Sequence, residues 1–461
     1  MSLWIFHPQL LRRNDLFVHG TQLIEKVDDR RRAPRASHWS SSAHARGGPS
    51  VRSTRGLDWF VFFLADVQTG FGPFVAVYLT TQKWTQIEIG LILSVGGLIA
   101  LLGQIPGGAL VDWARSERLV AGVAVSMIGV SALAYAAWPI FPIVLSAAVL
   151  QAASSCVLGP AIAALSLGLV GRSAISWRLG RNARFASIGS GVAAVGMGTC
   201  GYLLSSRAVF LVTVALTVPA ILAITRIRAD EVNTERAHGA IPNTDNTGSQ
   251  TTSVAMLGRN RPLLEFALVL MLFQFANAAM LPLVASTVTR QSSTWAPALI
   301  AACMVMPQIM VAAMSPWVGG RAQAWGRRPL LLIGIGALVI RGLLFSFVRD
   351  PHFLIAIQVL DGVAASVFGV LVPLVVVDVT YGSGHFNLAQ GIVGTATGLG
   401  ASASMLFAGY LSDRFGSEVA FLALAMVAAI ALGMVWLVMP ETRPRTSEFP
   451  RASQASGQHA S

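Results

Sequence analysis

The chain has 461 residues, of which 54% are hydrophobic and only 12% charged, with a mean hydropathy of +0.64 and a formal net charge of +12. Soluble proteins carry roughly 25% charged residues, so this composition leaves too little polar surface for a water-soluble domain of this length. The positive charge does not indicate a nucleic-acid partner, because the arginines fall mostly between apolar runs and the sequence shows no basic stretch with interleaved aromatic residues.

The first 56 residues are polar and arginine-rich, and we expect residues 1–56 to form a disordered tail because they cannot bury a core. From residue 57 the pattern changes to apolar runs that can each cross about 30 Å of hydrocarbon as a helix. Helices are expected because backbone polar groups in lipid must be hydrogen-bonded within the segment. The sequence predicts an all-α membrane protein with twelve spans, at 57–80, 87–111, 119–137, 140–169, 184–205, 208–226, 263–288, 295–318, 329–347, 352–377, 388–411 and 419–439.

Basic residues are unevenly divided between alternate loops. With the N-terminus inside, fourteen arginines lie in the inside loops, whereas the outside loops hold five arginine or lysine residues. Because arginine and lysine favour the cytoplasmic side, the sequence predicts two cytoplasmic termini and a multi-pass protein of the inner or plasma membrane.

A long polar segment at residues 227–262 divides the spans six and six. Its composition predicts a flexible cytoplasmic linker between an N-terminal bundle at 57–226 and a C-terminal bundle at 263–440. We expect the remaining residues, 441–461, to form a disordered tail.

The two halves resemble each other at an offset near 210 residues. Gly107-Gly108 corresponds to Gly319-Gly320, and Gly201-Tyr202-Leu203 corresponds to Gly409-Tyr410-Leu411. These matches fall in register with the helix count, so the sequence predicts two related halves.

The loops after helices 2 and 8 carry related motifs. The first reads Gly108-Ala-Leu-Val-Asp112-Trp-Ala-Arg-Ser-Glu-Arg118, and the second ends in Gly326-Arg327-Arg328. With the repeat, these loops resemble the Gly-x-x-x-Asp-Arg-x-Gly-Arg-Arg/Lys motif of the major facilitator superfamily, over about residues 57–440. The first copy lacks the central Arg and Gly, and the second has Gln323 where the family has Asp.

In that family this loop is a conformational gate whose charges link helix ends across the cytoplasmic face. Alternatively, the arginines of these loops have no gating role and only set the orientation of the helices in the membrane. The residues to which the resemblance gives a gating role are Gly108, Asp112, Arg115, Arg118, Gly326, Arg327 and Arg328.

Three charges lie well inside the predicted spans, where a charge costs about 2.5–3.5 kcal/mol on insertion scales and usually faces a cavity or a partner. Asp66 lies in helix 1 with Thr69 on the same face, and the resemblance places helices 1, 4, 7 and 10 around a central cavity. Asp66 is therefore a candidate proton or cation site, or else a structural acid. Arg341 and Asp361 are expected to form a structural ion pair, although Asp361 could face the cavity.

Uncharged polar residues also occur on the expected cavity helices, where they could contact substrate or hold helices together. They are Gln151, Ser154 and Ser155 on helix 4, Gln274 and Asn277 on helix 7, and Gln358 on helix 10.

Taken together, these features favour a monomeric transporter in the lipid bilayer that moves a neutral or cationic small molecule. The sequence has no ATP-binding P-loop, so an ion gradient, with protons as the expected partner, would drive it. It shows no catalytic cluster and no metal-ligand motif, so neither an enzyme nor a cofactor is expected. Export is favoured over uptake as the direction of transport. A receptor that has the same fold but does not transport is the remaining alternative.

Overall fold

The computed structural model describes residues 49–69, 72–240, 259–291 and 296–443; the side chains of some helical residues, including Asp66 and Thr69, lie outside this description. Within it the chain is helical, with no strand. One short 3-10 helix, η1, spans Ala229–Glu231. The α-helices are α1 Val51–Thr69, α2 Gly72–Thr81, α3 Gln86–Leu102, α4 Gln104–Trp113, α5 Glu117–Ala137, α6 Phe141–Leu203, α7 Ser206–Thr225, α8 Thr234–Ala237, α9 Arg261–Asn277, α10 Met280–Gln291, α11 Ala296–Trp325, α12 Arg328–Phe347, α13 Pro351–Val379, α14 Phe386–Phe415 and α15 Ser417–Leu437.

In the described residues, nine helices are long and apolar enough to cross a membrane, and the pair α3 and α4, bent by 49°, makes a tenth if it counts as one span. The predicted spans from residue 87 onward fall on these helices, whereas the first predicted span, 57–80, falls on α1 and α2, which are not among them. Some contain breaks: Gly103 separates α3 from α4, and residues 278–279 separate α9 from α10. The fold is therefore a polytopic helical bundle, and the count of twelve crossings stays a prediction.

Helix α6 is 63 residues long, about three times what one crossing needs. Gly171 divides it, with φ 71° and ψ 176°, a backbone conformation that favours glycine. The helix that contains the fifth predicted span, 184–205, resumes directly after Gly171 and so begins before the predicted start of that span. Apolar patterning missed this start because Arg178 and Arg181 lie in the new turns, where Asp58 binds both.

Side-chain caps fix several helix starts. Thr85 and Glu88 form a capping box at the start of α3, in which each side chain accepts a hydrogen bond from the other residue's backbone N–H. Ser116 caps α5, Asn260 caps α9 and Asp350 caps α13. These caps satisfy amide groups that have no partner inside the helix, so the turns between apolar runs end at defined residues.

The ends of two predicted unstructured segments are folded. Helix α1 begins at Val51, not at residue 57, and Ser50 donates hydrogen bonds to Glu231 from both its backbone N–H and its hydroxyl. The first part of the predicted linker forms η1 and α8, in which Ala237 is fully buried. The middle of that linker, residues 241–258, lies outside the described residues.

The buried side chains form two hydrophobic clusters. One consists of residues from α1 to α8, and the other consists mainly of residues from α9 to α15. The second cluster also includes Ala163, Leu167, Ile175 and Leu179 of α6. Helix α6 therefore belongs to the packing of both halves, and it positions the groups described next.

Candidate gate and transport pathway

The two halves meet at two crossings of small residues. At one, Gln104 and Gly108 of α4 lie against Asn387 and Gly391 of α14; a Cβ added at either glycine would stand less than 3.0 Å from a backbone oxygen of the other helix. That distance is shorter than real Cβ contacts show, so only glycine fits at these positions. We call the end of the bundle where this crossing lies the linker face, because residues 229–240 lie there too.

The second crossing repeats the first at an offset of 211 residues (315 minus 104, and 391 minus 180). Ser315 and Gly319 of α11 lie against Ser176 and Gly180 of α6. Here too, a Cβ added at either glycine would stand less than 3.0 Å from a backbone oxygen of the other helix. The crossings are therefore related by the internal repeat, and each half supplies one helix to each crossing.

Asp112, at the end of α4, caps the start of α14 in the other half. Its Oδ1 accepts hydrogen bonds from the backbone N of Asn387 at 3.2 Å and from Asn387 Nδ2 at 2.8 Å, and its Oδ2 accepts from the backbone N of Leu388 at 2.7 Å. A carboxylate at a helix N-terminus satisfies otherwise unpaired amides and interacts favourably with the helix dipole. This contact therefore joins the halves at the linker face.

A second charged link between the halves centres on Asp378, whose side chain is fully buried near the end of α13. Its Oδ2 accepts from Arg327 Nε at 2.9 Å, and its Oδ1 lies 3.6 Å from Arg172 Nη2. The Arg172 guanidinium also lies 3.9 Å from the centre of the Tyr381 ring. Since Arg172 belongs to α6 and Asp378 to α13, the ion pair crosses between the halves.

The predicted motif residues of the second half are held by an acid after α15. Glu441 accepts hydrogen bonds from the backbone N of Arg327 at 2.8 Å and of Arg328 at 3.1 Å. Gly326 has φ 94°, and a Cβ there would collide with the Glu441 carboxylate. The Gly-Arg-Arg turn is thus shaped to receive this acid.

The segment 229–240 packs on both halves at the linker face. Asn233 N donates to the Gly168 carbonyl on α6, whereas the His238 and Gly239 carbonyls accept from Phe386 N and Gly382 N in the C-terminal half. His238 Nε2 also lies 3.3 Å from Glu117 Oε1, an oxygen of a buried side chain at the start of α5. This part of the chain connects the halves by contacts as well as by sequence.

Arg341 lies at the centre of a buried polar cluster within the C-terminal half. Its Nη1 donates to Asp361 Oδ1 and to Asn277 Oδ1, both at 2.6 Å. The Arg341 side chain is 1% exposed, whereas that of Asp361 is 21% exposed. The ion pair expected between α12 and α13 is present, and Asn277 of α9 joins it; whether its role is structural or in transport stays a prediction.

The other predicted pathway residues are placed differently. Gln358 is fully buried and donates to the Cys303 carbonyl at 3.2 Å, and the buried Ser154 donates to its own helix at the Leu150 carbonyl. Gln151, Ser155 and Gln274 are half-buried.

Arg115 and Arg118 follow Asp112, but they take no part in the ion pairs of the described residues. Arg115 is exposed, and Arg118 lies against an apolar surface that includes Leu119 and Val123. Other arginines at this face do bind acids, among them Arg172, Arg178, Arg181 and Arg327.

A cavity of about 360 Å³ lies between the halves, with walls from α1, α4 and α6 on one side and α13 and α14 on the other. Its polar lining includes Gln104, Asn182, Gln390 and Thr397, and Pro160 and Pro373 lie opposite one another in the two halves. Among the described side chains, none of the polar residues proposed for the pathway from the sequence lines it; those of Asp66 and Thr69 lie outside this description.

Sequence reasoning missed several of these groups. Asp378 and Glu441 lie at the edges of apolar runs, and the position of Arg172 in an inside loop indicates only a topogenic charge. The signal for Glu441 is the sequence Pro440-Glu441-Thr442 directly after the last predicted span, which resembles a sequence of the major facilitator superfamily. The partners of Asp112 carry no such signal, because backbone N–H groups are present in every residue.

Comparison with known proteins identifies the family of this chain. The sequence profile of the Major Facilitator Superfamily matches residues 59–319 and 266–459. The chain belongs to this superfamily and is a membrane transporter, not an enzyme, so the resemblance in the loop motifs is confirmed. Two MFS-type transporters described as uncharacterised, from two strains of Mycobacterium tuberculosis, are each 38% identical over 395 residues, covering 85% of this chain and 94% of theirs.

Solved structures share the fold at low sequence identity. The Escherichia coli fucose:proton symporter has a TM-score of 0.68 at 16% identity, covering 83% of this chain and 98% of the symporter. A structure of FucP, an MFS transporter, in the outward conformation has a TM-score of 0.67 at 16% identity. The match covers 82% of this chain and 97% of FucP. The human organic anion transporter MFSD10 gives 0.63 at 16% identity, with 83% and 99% covered.

Proposed function

We propose that this chain is a proton-coupled secondary transporter that moves a small molecule by alternating access, with efflux as its direction. The observation that supports it most is the close contact between the halves at two repeat-related helix crossings. Each crossing joins one helix of each half, so rocking the halves about a central site would open this face.

The linker-face contacts have the properties of a gate. Asp112 with Asn387 and Leu388, and Arg172 with Asp378, are hydrogen bonds and ion pairs between halves that can break without unfolding either bundle. The similarity to a transporter in the outward conformation supports the proposal that this structure is closed at its cytoplasmic face.

Within this proposal Asp66 binds the coupling proton, together with Thr69 on the same helical face. Burial in a low-dielectric cavity favours the neutral form of a carboxylic acid, which lets it load and release a proton near neutral pH. Gln151, Ser154, Ser155, Gln274, Asn277, Gln358 and Asp361 remain the proposed polar contacts for substrate, and a neutral or cationic compound is favoured because the spans of helices 1, 4 and 7 contain no basic residue.

Uptake by proton symport is the second candidate, favoured by the fold shared with a fucose:proton symporter. A flux experiment separates the two. The purified protein is placed in liposomes that contain a pH-sensitive dye, and metabolites and drugs are added outside one at a time. A symported compound acidifies the lumen, whereas an antiported compound makes a pre-acidified lumen more alkaline. If no compound of a broad library changes the luminal pH, the result would contradict proton coupling.

The substitution Asp66→Asn tests the proton site. We expect it to abolish gradient-driven flux while substrate exchange at equal pH on both sides persists, because exchange needs no net proton movement. Asp413→Asn, at an exposed acid in the last turn of α14, is the matched control and should transport normally. Unchanged gradient-driven flux in Asp66→Asn would remove this residue from the mechanism.

A further inference from the structure

Three arginines converge where α1 and the end of α7 cross at the linker face. Arg52 and Arg55 lie at the start of α1, and Arg226 directly follows α7. The helices approach closely at Gly56, where an added Cβ would stand 3.1 Å from the Ala223 carbonyl oxygen and 3.1 Å from Arg226 Cβ. The three arginines therefore line one open cavity of about 520 Å³.

The acids near this cavity already have partners. Asp58 binds Arg178 and Arg181 and is 2% exposed, so it is unavailable to the cavity. Asp230 and Glu231 bind Arg228. Among the described residues, no ion pair neutralises the arginines that line the cavity, and an excess of positive charge remains at its rim.

Glu231 illustrates how firmly these acids are held. Partial burial raises the pKa of its carboxyl, but hydrogen bonds from Ser53 and Ser50 and the charge of Arg228 outweigh burial and leave the pKa below its ordinary value. The carboxylate stays ionised at neutral pH and stays bound to its own partners.

The wall of the cavity is apolar on the membrane side. Trp59 is 49% exposed and Leu222 is 59% exposed. Trp59 lies one turn, about 6 Å, further along α1 than Arg55. Tryptophan is enriched at membrane interfaces, where its ring contacts acyl chains below the headgroups. The cavity thus combines a cationic rim at the membrane surface with an apolar wall toward the hydrocarbon.

We propose that this cavity binds an anionic phospholipid, with Arg52, Arg55 and Arg226 contacting the phosphate and Trp59 and Leu222 contacting an acyl chain. Basic pockets between membrane helices bind anionic headgroups in this way. The site is separate from the gate and does not depend on which molecule the protein transports.

Other exposed arginines on the same face lack these features. Arg261 pairs with Glu265, Arg321 lies over the Trp325 ring, and Arg443 donates to the Ala324 carbonyl. These three residues provide a control set with the same total charge and the same membrane face.

Lipid binding to the full-length protein in detergent tests the site. Native mass spectrometry and thermal unfolding are followed while phosphatidylglycerol, phosphatidylcholine or water-soluble glycerol phosphate is added. We expect saturable binding and a raised Tm with phosphatidylglycerol only. Stabilisation by glycerol phosphate as strong as that by phosphatidylglycerol would mean a free-phosphate site and would overturn the lipid proposal.

The triple substitution Arg52→Gln, Arg55→Gln and Arg226→Gln should raise the Kd for phosphatidylglycerol about tenfold or more, since each basic residue near an anionic surface contributes about a factor of five. The control triple variant Arg261→Gln, Arg321→Gln and Arg443→Gln should change the Kd less than about twofold, because these arginines already have partners within the protein. Because all three cavity arginines are exposed, the single variants provide the measurement if the triple variant does not fold. Equal loss in both sets would show a general charge effect and would overturn the site.

Discussion

At the scale of single residues, the most informative group is Arg341, because its guanidinium is buried between three helices. It holds Asp361 and Asn277 at 2.6 Å each, so its charge is matched by one carboxylate and one amide oxygen. Removing one partner from a buried pair leaves an uncompensated charge, which costs more than removing both.

We therefore expect Arg341→Ala to destabilise the protein by about 3–5 kcal/mol and the double variant with Asp361→Ala to recover part of that loss. Thermal unfolding in detergent, compared across the two single variants and the double variant, measures the coupling. Strictly additive losses would argue against an energetic link between the two side chains.

Asp112 shows how a single acid can hold two halves together. Its two oxygens accept three hydrogen bonds from the start of α14, two of them from backbone N–H groups. The sequence places Asp112 in the gate motif through family resemblance, but Arg172 and Asp378, which supply the second link between the halves, carry no motif of their own.

At the scale of helices, the two glycine crossings bring the two halves into direct contact at the linker face. Backbones at Gly108 and Gly319 approach an opposing carbonyl so closely that even a methyl group has no room. Small residues allow such contact between membrane helices, where van der Waals packing replaces the hydrophobic effect.

The substitutions Gly108→Ala and Gly319→Ala should therefore separate the halves at the linker face. We expect cysteines placed at this face to react faster with a soluble maleimide, by about tenfold if the closed state loses about 1.4 kcal/mol. Gly122→Ala on α5 is the control, because no atom lies within 4 Å of the added Cβ. Equal reactivity in all three variants would show that the crossings do not control closure.

Helix α6 contains a polar stretch that the sequence patterning interprets as a loop. Sequence patterning predicts two spans separated by a polar stretch, yet the stretch is helical apart from a break at Gly171. The arginines there are tolerated because Asp58 of α1 binds two of them, and Arg178 also donates to Asn182 within the helix.

At the scale of the whole molecule, both described ends of the chain reach the same face. Ser50 contacts Glu231 in the segment 229–240, and Arg443 contacts Ala324 at the end of α11. Two ends at the same face require an even number of crossings between them, and the count of twelve stays a prediction.

Topology can be measured with single cysteines in a background without the three native ones. Glu235→Cys at the linker face should react with an impermeant maleimide only when the cytoplasmic side is accessible, because arginines are concentrated at this face. Gln82→Cys, exposed after α2, should react only from the opposite side. Labelling of both from one side would refute the predicted orientation.

The sequence by itself determined the helical membrane fold, the two related halves and the family. Apolar runs of this length admit only helices in hydrocarbon, because a lipid-exposed backbone must satisfy its own polar groups. The repeat offset and the partial loop motifs were readable for the same reason: they are properties of local sequence.

Only the tertiary structure decided which polar groups meet. Asp112 binds backbone amides of α14, Arg341 gains Asn277 as well as Asp361, and the segment 229–240 folds onto both halves. Such pairings depend on how helices far apart in sequence are packed, and neither a backbone N–H nor a buried arginine carries a sequence signal for all of its partners. The physical reason is that apolar patterning reports transfer into lipid, whereas partner choice is set by the geometry of the folded interface.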